Sequence, residues 1–261
     1  IAVPAYPPRK GQSLLRVKSI AADSQAAVVL TNQSLLGFIE SQQTANLPNI
    51  KHVIATDNLS TLAADWEKPA IDAESLAFLQ YTSGSTGNPK GVMVSHGNLL
   101  HNEEIIKQGF GHSRDTTVVG WLPFYHDMGL IGNVLQPLYL GICSILMPPV
   151  AFLQKPIRWL QAISHRKATT SGAPNFAYEM CLQKITPEQR ASLDLSSWEV
   201  AFCGAETIRV ETLERFAEVF AECGFRKEAF YPCYGLAEAR LFVSGGEKTE
   251  APKVIRVDTK A

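Results

Sequence analysis

The 261-residue sequence predicts an α/β fold with layered, mainly parallel sheets and flanking helices. Apolar runs of strand length alternate with amphipathic stretches of helical length along most of the chain, an order typical of such folds. Hydrophobic residues make up 46% of the sequence and charged residues 19%, a composition that can bury a large core. We therefore expect parallel strands joined by helices that pack on the sheets.

The first predicted elements rest on apolar runs and on helix-capping residues. Short apolar runs predict strands at residues 26–30, 50–55 and 76–81. Ser34 is expected to cap a helix that continues to Gln42, and Ser95 or His96 to open a longer one. The polar, irregular stretch from Ser60 to Ser75 is expected to be a surface loop.

The second half of the chain gives the clearer pattern. Strands are predicted at residues 117–122, 142–147, 200–203 and 229–231. A helix is predicted after Pro156, because Ile157, Leu160 and Ile163 share one face, and proline is favoured at the first position of a helix. The clearest helix runs from Arg209 to Cys223, with Gly224 placed to end it.

The sequence offers no pattern for binding nucleic acid or crossing a membrane. It carries 24 Lys and Arg against 25 Asp and Glu, so no net field would recruit nucleic acid or an anionic surface. The uncharged stretch from Met128 to Gln154 contains three prolines, which a lipid-facing helix tolerates poorly, so we expect buried core there. Five widely spaced cysteines without a C-x-x-C pair are expected to be reduced thiols in a cytoplasmic protein.

The strongest local signal is Y-T-S-G-S-T-G-N-P-K-G-V at residues 81–92. Its glycines let backbone N–H groups turn toward an anion, its hydroxyl groups add donors, and Lys90 adds positive charge. The loop directly follows a predicted buried strand, which favours a phosphate site over a flexible turn. It is not a Walker A loop, because the G-K-[ST] pattern is missing.

The segment T-S-G-S-T-G-N-P-K-G resembles the signature loop of adenylate-forming enzymes, which activate carboxylic acids with ATP. Four further segments resemble that family in the same order, at residues 121–132, 171–178, 202–206 and 234–238. Their H-D-M-G-L-I-G, P-N-F-A-Y and Y-G-L-A-E-A sequences are most similar to fatty acyl-AMP ligases. The resemblance implies that residues 1–261 are part of the large AMP-binding N-terminal domain, and we expect the small C-terminal lid domain to be absent from this chain.

The resemblance implies ATP and Mg²⁺ as cofactors, with catalytic roles for Lys90, Thr82 and Glu238. The residues implied in phosphate binding are Thr82, Ser83, Gly84, Ser85, Thr86, Gly87 and Lys90. Those implied in the rest of the nucleotide site are Gly204, Ala205, Glu206, Tyr234, Gly235, Ala237 and Glu238. Tyr234 offers a flat face for stacking on adenine. Mg²⁺ prefers hard oxygen ligands, and it is implied at the Thr82 hydroxyl and the Glu238 carboxylate.

The resemblance also implies a pocket for the acyl chain. Its residues are His126, Asp127, Gly172, Ala173, Pro174, Phe176 and Tyr178. His126 is interpreted as a wall between the nucleotide and acyl pockets, because an ionised fatty acid needs no general base to attack the α-phosphate. The chain departs from the family at Thr207, where Pro is usual, and at Arg240, where Thr is usual. Arg240 places a cation close enough to Glu238 for the two to pair.

The implied function is ATP-dependent activation of a fatty acid to acyl-adenylate with release of pyrophosphate. The acyl group would then pass to an acyl carrier protein of a polyketide or lipopeptide pathway. One alternative is a long-chain acyl-CoA synthetase, which shares the first half-reaction. A second alternative, from a different class, is a nucleotide-binding fragment without catalysis.

Overall fold

Residues 1–6, 15–41, 49–59, 66–82 and 89–257 are described by a computed structural model of the protein. They belong to two units, Ile1–Asn98 and Leu99–Ala261. Strands alternate with helices along most of the described chain, so the predicted α/β class is confirmed. The boundary between the units falls inside a helix, where the sequence predicted no division.

The first unit contains two separate two-stranded sheets. Its elements are α1 (Leu15–Asp23), β1 (Val28–Thr31), α2 (Gln33–Ser41), β2 (His52–Ala55), β3 (Leu76–Thr82), β4 (Lys90–Ser95) and the start of α3 (His96–Phe110). Strands β1 and β2 pair in parallel, whereas β3 and β4 form an antiparallel hairpin. Strand β4 was not predicted, since the lysine and glycine at its start hide its apolar alternation.

The predicted cap of α2 was wrong by two residues. The side-chain Oδ1 of Asn32 accepts hydrogen bonds from the Leu35 amide at 3.0 Å and from the Ser34 hydroxyl at 2.7 Å. Asn and Ser are both good caps, so sequence alone did not separate them. For α3 the expectation was correct, because the Asn98 amide donates to the Ser95 hydroxyl at 3.2 Å.

The second unit is built on a six-stranded sheet with the strand order β10-β9-β8-β7-β5-β6. Its strands are β5 (Thr117–Gly120), β6 (Cys143–Leu146), β7 (Thr170–Gly172), β8 (Val200–Cys203), β9 (Phe230–Gly235) and β10 (Phe242–Gly245). Its helices after α3 are α4 (Asp127–Leu130), α5 (Gln136–Leu140), α6 (Pro149–Gln154), α7 (Ile157–Arg166), α8 (Asn175–Lys184), α9 (Pro187–Arg190) and α10 (Val210–Phe220). All neighbouring strands pair in parallel except β9 and β10.

Aromatic side chains fill the core under this sheet. Trp159 and Trp198 are fully buried, and their indole rings lie edge-on with centroids 5.4 Å apart. Both indole N–H groups reach Ser171 in β7: Trp159 donates to the hydroxyl at 2.8 Å and Trp198 to the backbone carbonyl at 3.1 Å. Because each buried donor has an acceptor, the core fixes the position of β7 without leaving either indole N–H unpaired.

The uncharged stretch from Met128 to Gln154 is only partly buried, so the expectation of buried core holds for part of it. Ile131 and Phe152 are fully buried, but Leu138 is 74% and Val150 55% exposed. The exposed residues lie in helices α5 and α6, next in sequence to β6, which is the edge strand of the described sheet. No helix in the described part of the chain is long and apolar enough to cross a membrane.

Candidate active site

The β3–β4 hairpin holds two predicted phosphate-binding residues side by side. Thr82 ends β3 and Lys90 begins β4, and the two are direct partners in the antiparallel register. Lys90 is exposed and Thr82 half-buried. The predicted phosphate-loop residues between them, Ser83, Gly84, Ser85, Thr86 and Gly87, lie outside the described residues. The hairpin therefore places the Thr82 hydroxyl and the Lys90 ammonium group next to the two ends of the predicted phosphate loop.

In the second unit, the remaining predicted segments all follow the carboxyl ends of sheet strands. Residues 121–127 follow β5, residues 173–178 follow β7, residues 204–206 follow β8, and residues 236–238 follow β9. These four strands run in parallel and occupy adjacent positions in the sheet. Their carboxyl ends consequently meet at one edge, which is where open α/β sheets bind ligands.

Close backbone approach explains the glycine at the end of β7. A Cβ atom on Gly172 would lie 2.2 Å from the Phe202 carbonyl oxygen. That oxygen accepts hydrogen bonds from the Ala173 amide at 3.1 Å and from the Tyr178 hydroxyl at 2.9 Å. Any larger residue at position 172 would push β7 away from β8 and break this junction.

The predicted acyl-pocket residues differ in how accessible they are. Ala173 and Tyr178 are fully buried, and burial raises the pKa of Tyr178 well above its usual value. Pro174 is half-buried, whereas Phe176 is 40% exposed and lies edge-on to Trp121 with ring centroids 6.2 Å apart. Tyr178 is therefore a core residue that hydrogen-bonds to the end of β8, whereas the ring of Phe176 is partly exposed to solvent.

Two reciprocal hydrogen bonds join the loop after β8 to the start of α8. The Phe176 amide donates to Glu206 Oε1 at 2.6 Å, and the Arg209 amide donates to the buried Asn175 Oδ1 at 3.0 Å. The first of these satisfies an amide in the first turn of α8, where a negative charge also interacts favourably with the helix dipole. The predicted nucleotide-side loop and the predicted acyl segment are thus fastened to each other.

The nucleotide-side loop is held in an unusual backbone conformation. Ala205 has φ +66°, a left-handed value that costs a non-glycine residue about 1–2 kcal/mol. Gly204 before it is buried, and Ala205 and Glu206 are exposed at the loop tip. Tyr234, at the end of the neighbouring strand β9, is 60% exposed, so its ring is available to a ligand.

Glu238 and Arg240 do not form the pair that their spacing suggested. Arg240 has φ +75°, and its Nη1 donates to the backbone oxygen of Glu238 at 2.9 Å. The left-handed turn directs the guanidinium to the Glu238 backbone, and the Glu238 carboxylate forms no ion pair with any described residue. Glu238 is exposed while Ala237 beside it is buried. The carboxylate is therefore open to a cation.

The side chains of His126 and Asp127 are in hydrogen-bond contact at the start of α4. Their Nδ1 and Oδ1 atoms are 2.7 Å apart, and the Asp127 carboxylate also accepts from the Met128 amide at 2.7 Å. The hydrogen bond to Asp127 raises the pKa of His126 above its usual value. Asp127 is buried and His126 is exposed, so Asp127 orients the imidazole.

Comparison with known proteins identifies the family of the chain. The sequence profile of the family described as AMP-binding enzyme matches residues 1–258. The chain belongs to the AMP-binding enzyme family. It is 45% identical to the medium-chain-fatty-acid–[acyl-carrier-protein] ligase JamA of Moorena producens, over 100% of this chain and 45% of JamA. It is 39% identical to the ligase TtuA of Teredinibacter turnerae, which has the same description, over 99% of this chain and 46% of TtuA.

A solved structure supports the same relationship. The fatty acyl-adenylate ligase from L. pneumophila, in complex with acyl adenylate and pyrophosphate, superposes with a TM-score of 0.90 at 47% identity. The match covers 97% of this chain and 44% of that one. The resemblance to fatty acyl-AMP ligases is thereby confirmed, and the chain spans less than half the length of these relatives.

Sequence reasoning missed two side chains that hold the predicted site segments of this AMP-binding enzyme family member together. It assigned Glu206 to the nucleotide through its backbone and did not foresee that its carboxylate caps α8. Asn175 was noted only as part of the P-N-F-A-Y segment, because its bond to the Arg209 amide, 34 residues away, has no local sequence signal. The roles of the other predicted residues in nucleotide and acyl binding remain predictions.

Replacing Glu206 by Ala should destabilise the start of α8. The Phe176 amide would lose its acceptor and the helix terminus its negative charge, which together cost about 0.5–2 kcal/mol. Urea unfolding would measure this loss, with Glu218→Ala, an exposed carboxylate on α10, as the matched control. A loss no larger than that of the control would show that the Glu206–Phe176 bond does not stabilise the loop junction.

Proposed function

We propose that the protein containing this chain activates a fatty acid with ATP, forming acyl-adenylate and pyrophosphate, and transfers the acyl group to an acyl carrier protein. The observation that carries this proposal is the similarity, over 97% of the chain, to a fatty acyl-adenylate ligase bound to acyl adenylate and pyrophosphate. JamA and TtuA, described as acyl-carrier-protein ligases, favour the carrier protein as the acceptor.

The chemistry requires little beyond positioning and charge stabilisation. A carboxylate oxygen of the fatty acid attacks the α-phosphorus of ATP, the bond to the β-phosphate oxygen breaks, and pyrophosphate leaves. Thr82 and Lys90 on the β3–β4 hairpin would bind the phosphates and stabilise the developing negative charge. No side chain has to remove a proton, because the attacking carboxylate is already ionised near neutral pH.

Glu238 fits the requirement for a magnesium ligand. Its exposed carboxylate is a hard oxygen donor that is not neutralised by Arg240, and Mg²⁺ typically takes one or two carboxylates together with phosphate oxygens. When bound, Mg²⁺ would neutralise part of the phosphate charge. The assignment of the Thr82 hydroxyl as a second ligand stays a prediction.

The acyl group would bind to the apolar surface at the strand ends of the second unit. A groove of about 300 Å³ lies after β5 and β6. It is lined by Leu122, Pro123, Phe124, Leu146, Met147, Pro148 and Pro149, none of which is among the predicted acyl-pocket residues. An uncharged lining of this kind suits a hydrocarbon chain. His126, held by Asp127, would separate this region from the nucleotide.

The acceptor is tested with the full-length protein. Fatty acid, ATP and Mg²⁺ are supplied with either CoA or a phosphopantetheinylated carrier protein, and both thioesters are quantified. We expect a several-hundred-fold preference for the carrier protein, equivalent to about 3–4 kcal/mol of discrimination. Acyl-CoA formed at a comparable rate would favour the acyl-CoA synthetase alternative. Absence of pyrophosphate release with every fatty acid would favour the non-catalytic alternative.

A further inference from the structure

The turn after β9, which carries Glu238, is clamped from one side by a buried amide on α3. The Nδ2 of Asn102 donates to the Ala239 carbonyl at 3.3 Å and to the Phe242 carbonyl at 2.8 Å. The Phe242 amide donates back to Asn102 Oδ1 at 3.1 Å. Asn102 is only 4% exposed, so these bonds form away from water, where each unmade bond is costly.

The clamped segment is short and its geometry is demanding. Residues 237–239 form a single 3₁₀ turn, and the Leu236 amide closes the turn by donating to the Leu241 carbonyl at 3.0 Å. Arg240 lies between the two carbonyls that Asn102 binds, and its left-handed backbone reverses the chain there. A strained turn of this kind persists only when its surroundings fix it. Asn102 supplies such a constraint from a different element.

The choice of asparagine at this position points to a specific role. Asn102 lies on the same buried face of α3 as Ile106 and Phe110, where an apolar residue would pack without polar cost. Asparagine is also a weak helix former in a helix interior. Its amide, however, offers donors and an acceptor at once, and the turn needs both. An aspartate in its place would lack the donors, and a leucine would lack all three bonds.

We propose that Asn102 is a positioning residue that sets the location of the Glu238 carboxylate by holding the backbone of residues 239–242. This inference rests on the proposed function, in which Glu238 binds Mg²⁺. Asn102 itself contacts neither substrate nor metal in this role. Loss of the clamp should release the turn, so that the carboxylate is no longer held where the cation needs it.

The first test follows the turn directly in the full-length protein. In Asn102→Ala, hydrogen exchange of the Phe242 amide should accelerate about tenfold or more, since a bond worth about 1.4 kcal/mol changes an equilibrium tenfold. His101→Ala, an exposed neighbour on α3, is the matched control and should leave this exchange unchanged. Unchanged exchange at Phe242 in Asn102→Ala would overturn the proposal.

The second test measures ATP–pyrophosphate exchange against Mg²⁺ concentration. Asn102→Ala should raise the Mg²⁺ concentration for half-maximal rate about tenfold, with the KM for the fatty acid unchanged, and Asn102→Ser should restore part of the loss because a hydroxyl both donates and accepts. If hydrogen exchange of the Phe242 amide accelerates in Asn102→Ala but the Mg²⁺ requirement does not change, Asn102 does not position Glu238. That result would leave the proposed function intact. If instead Glu238→Gln has no effect on the Mg²⁺ requirement, the proposed metal role of Glu238 fails.

The remaining control is whether each variant folds, measured as the yield of soluble protein. If both Asn102→Ala and Asn102→Ser fail to fold while Glu238→Gln folds normally, Asn102 acts in packing, and the positioning role is rejected.

Discussion

Replacement of Lys90 by Ala is expected to slow acyl-adenylate formation about 10²–10³-fold in the full-length protein. Lys90 begins β4 opposite Thr82, so the hairpin holds its charge in place before the substrate binds. Removing one preorganised donor to developing negative charge typically costs about 2.7–4 kcal/mol of transition-state stabilisation. The rate of pyrophosphate release with saturating fatty acid measures the effect.

A matched control separates this role from general charge effects. Lys51→Ala removes an exposed lysine from the same unit and should leave the rate within about threefold of wild type, because isolated surface charges contribute little. If Lys90→Ala behaves like Lys51→Ala, the hairpin does not take part in phosphate binding. A loss confined to ATP affinity, with an unchanged maximal rate, would restrict Lys90 to ground-state binding.

The second large effect is on the pH dependence of the unfolding free energy, and it comes from Glu103 on α3. Glu103 is 1% exposed, and neither carboxylate oxygen has a hydrogen-bond partner among the described residues. Burial raises the pKa of its carboxyl group from 4.5 to about 8. The folded protein therefore keeps Glu103 protonated at pH values where the unfolded chain has released that proton.

The sign of the pH dependence follows from this difference in proton binding. Between pH 4.5 and about 8 the folded state binds more protons than the unfolded state, so the contribution of Glu103 to stability falls as the pH rises through this range. At about 1.36 kcal/mol per pKa unit, the total loss is roughly 5 kcal/mol at most. Glu103→Gln, which stays neutral, should remove it.

Urea unfolding of wild type and Glu103→Gln at about pH 5 and about pH 9 measures this effect. The difference in unfolding free energy between the two proteins should shift in favour of the variant at the higher pH. His112 contributes with the opposite sign, since burial lowers its pKa from 6.5 to about 4 and its contribution is lost on acidification. His112 is present in both proteins, so its contribution cancels. A pH-independent difference would show that Glu103 is ionised in the folded protein.

The sequence predicted four of the six strands in the sheet of the second unit, β5, β6, β8 and β9, but neither β7 nor β10. Strand β8 was predicted with its observed bounds, because an apolar run between polar segments is distinctive. The phosphate loop was expected to follow a strand and residues 202–206 to lie at a strand end. The parallel pairing of β5, β7, β8 and β9 is what brings the motifs of the second unit to one edge. What the sequence could not reveal is which distant group each side chain bonds: the Glu206 carboxylate reaches an amide 30 residues away, and Asn102 reaches one 140 residues away.

The composition of a segment also gave a wrong expectation of its burial where that burial depends on how neighbouring elements pack. The uncharged residues from Met128 to Gln154 suggested core, yet Leu138 and Val150 are exposed beside the edge strand. Phe176 and Tyr178 have similar character and lie two residues apart, but one faces outward and the other is buried. Only the packing of α8 against the sheet separates them.

The two hydrogen bonds between α8 and the loop after β8 matter for experiments that exchange segments between relatives in order to change which acyl chain the protein prefers. Asn175 and Glu206 each serve the opposite segment, so a transplanted α8 would bring one partner and leave the other behind. Exchange of residues 171–184 alone would therefore disturb the loop after β8, where part of the nucleotide site is predicted, together with the predicted acyl segment. A transplant that extends from Ser171 to Arg209 carries both pairs together, so each of these two bonds forms between residues from the same relative.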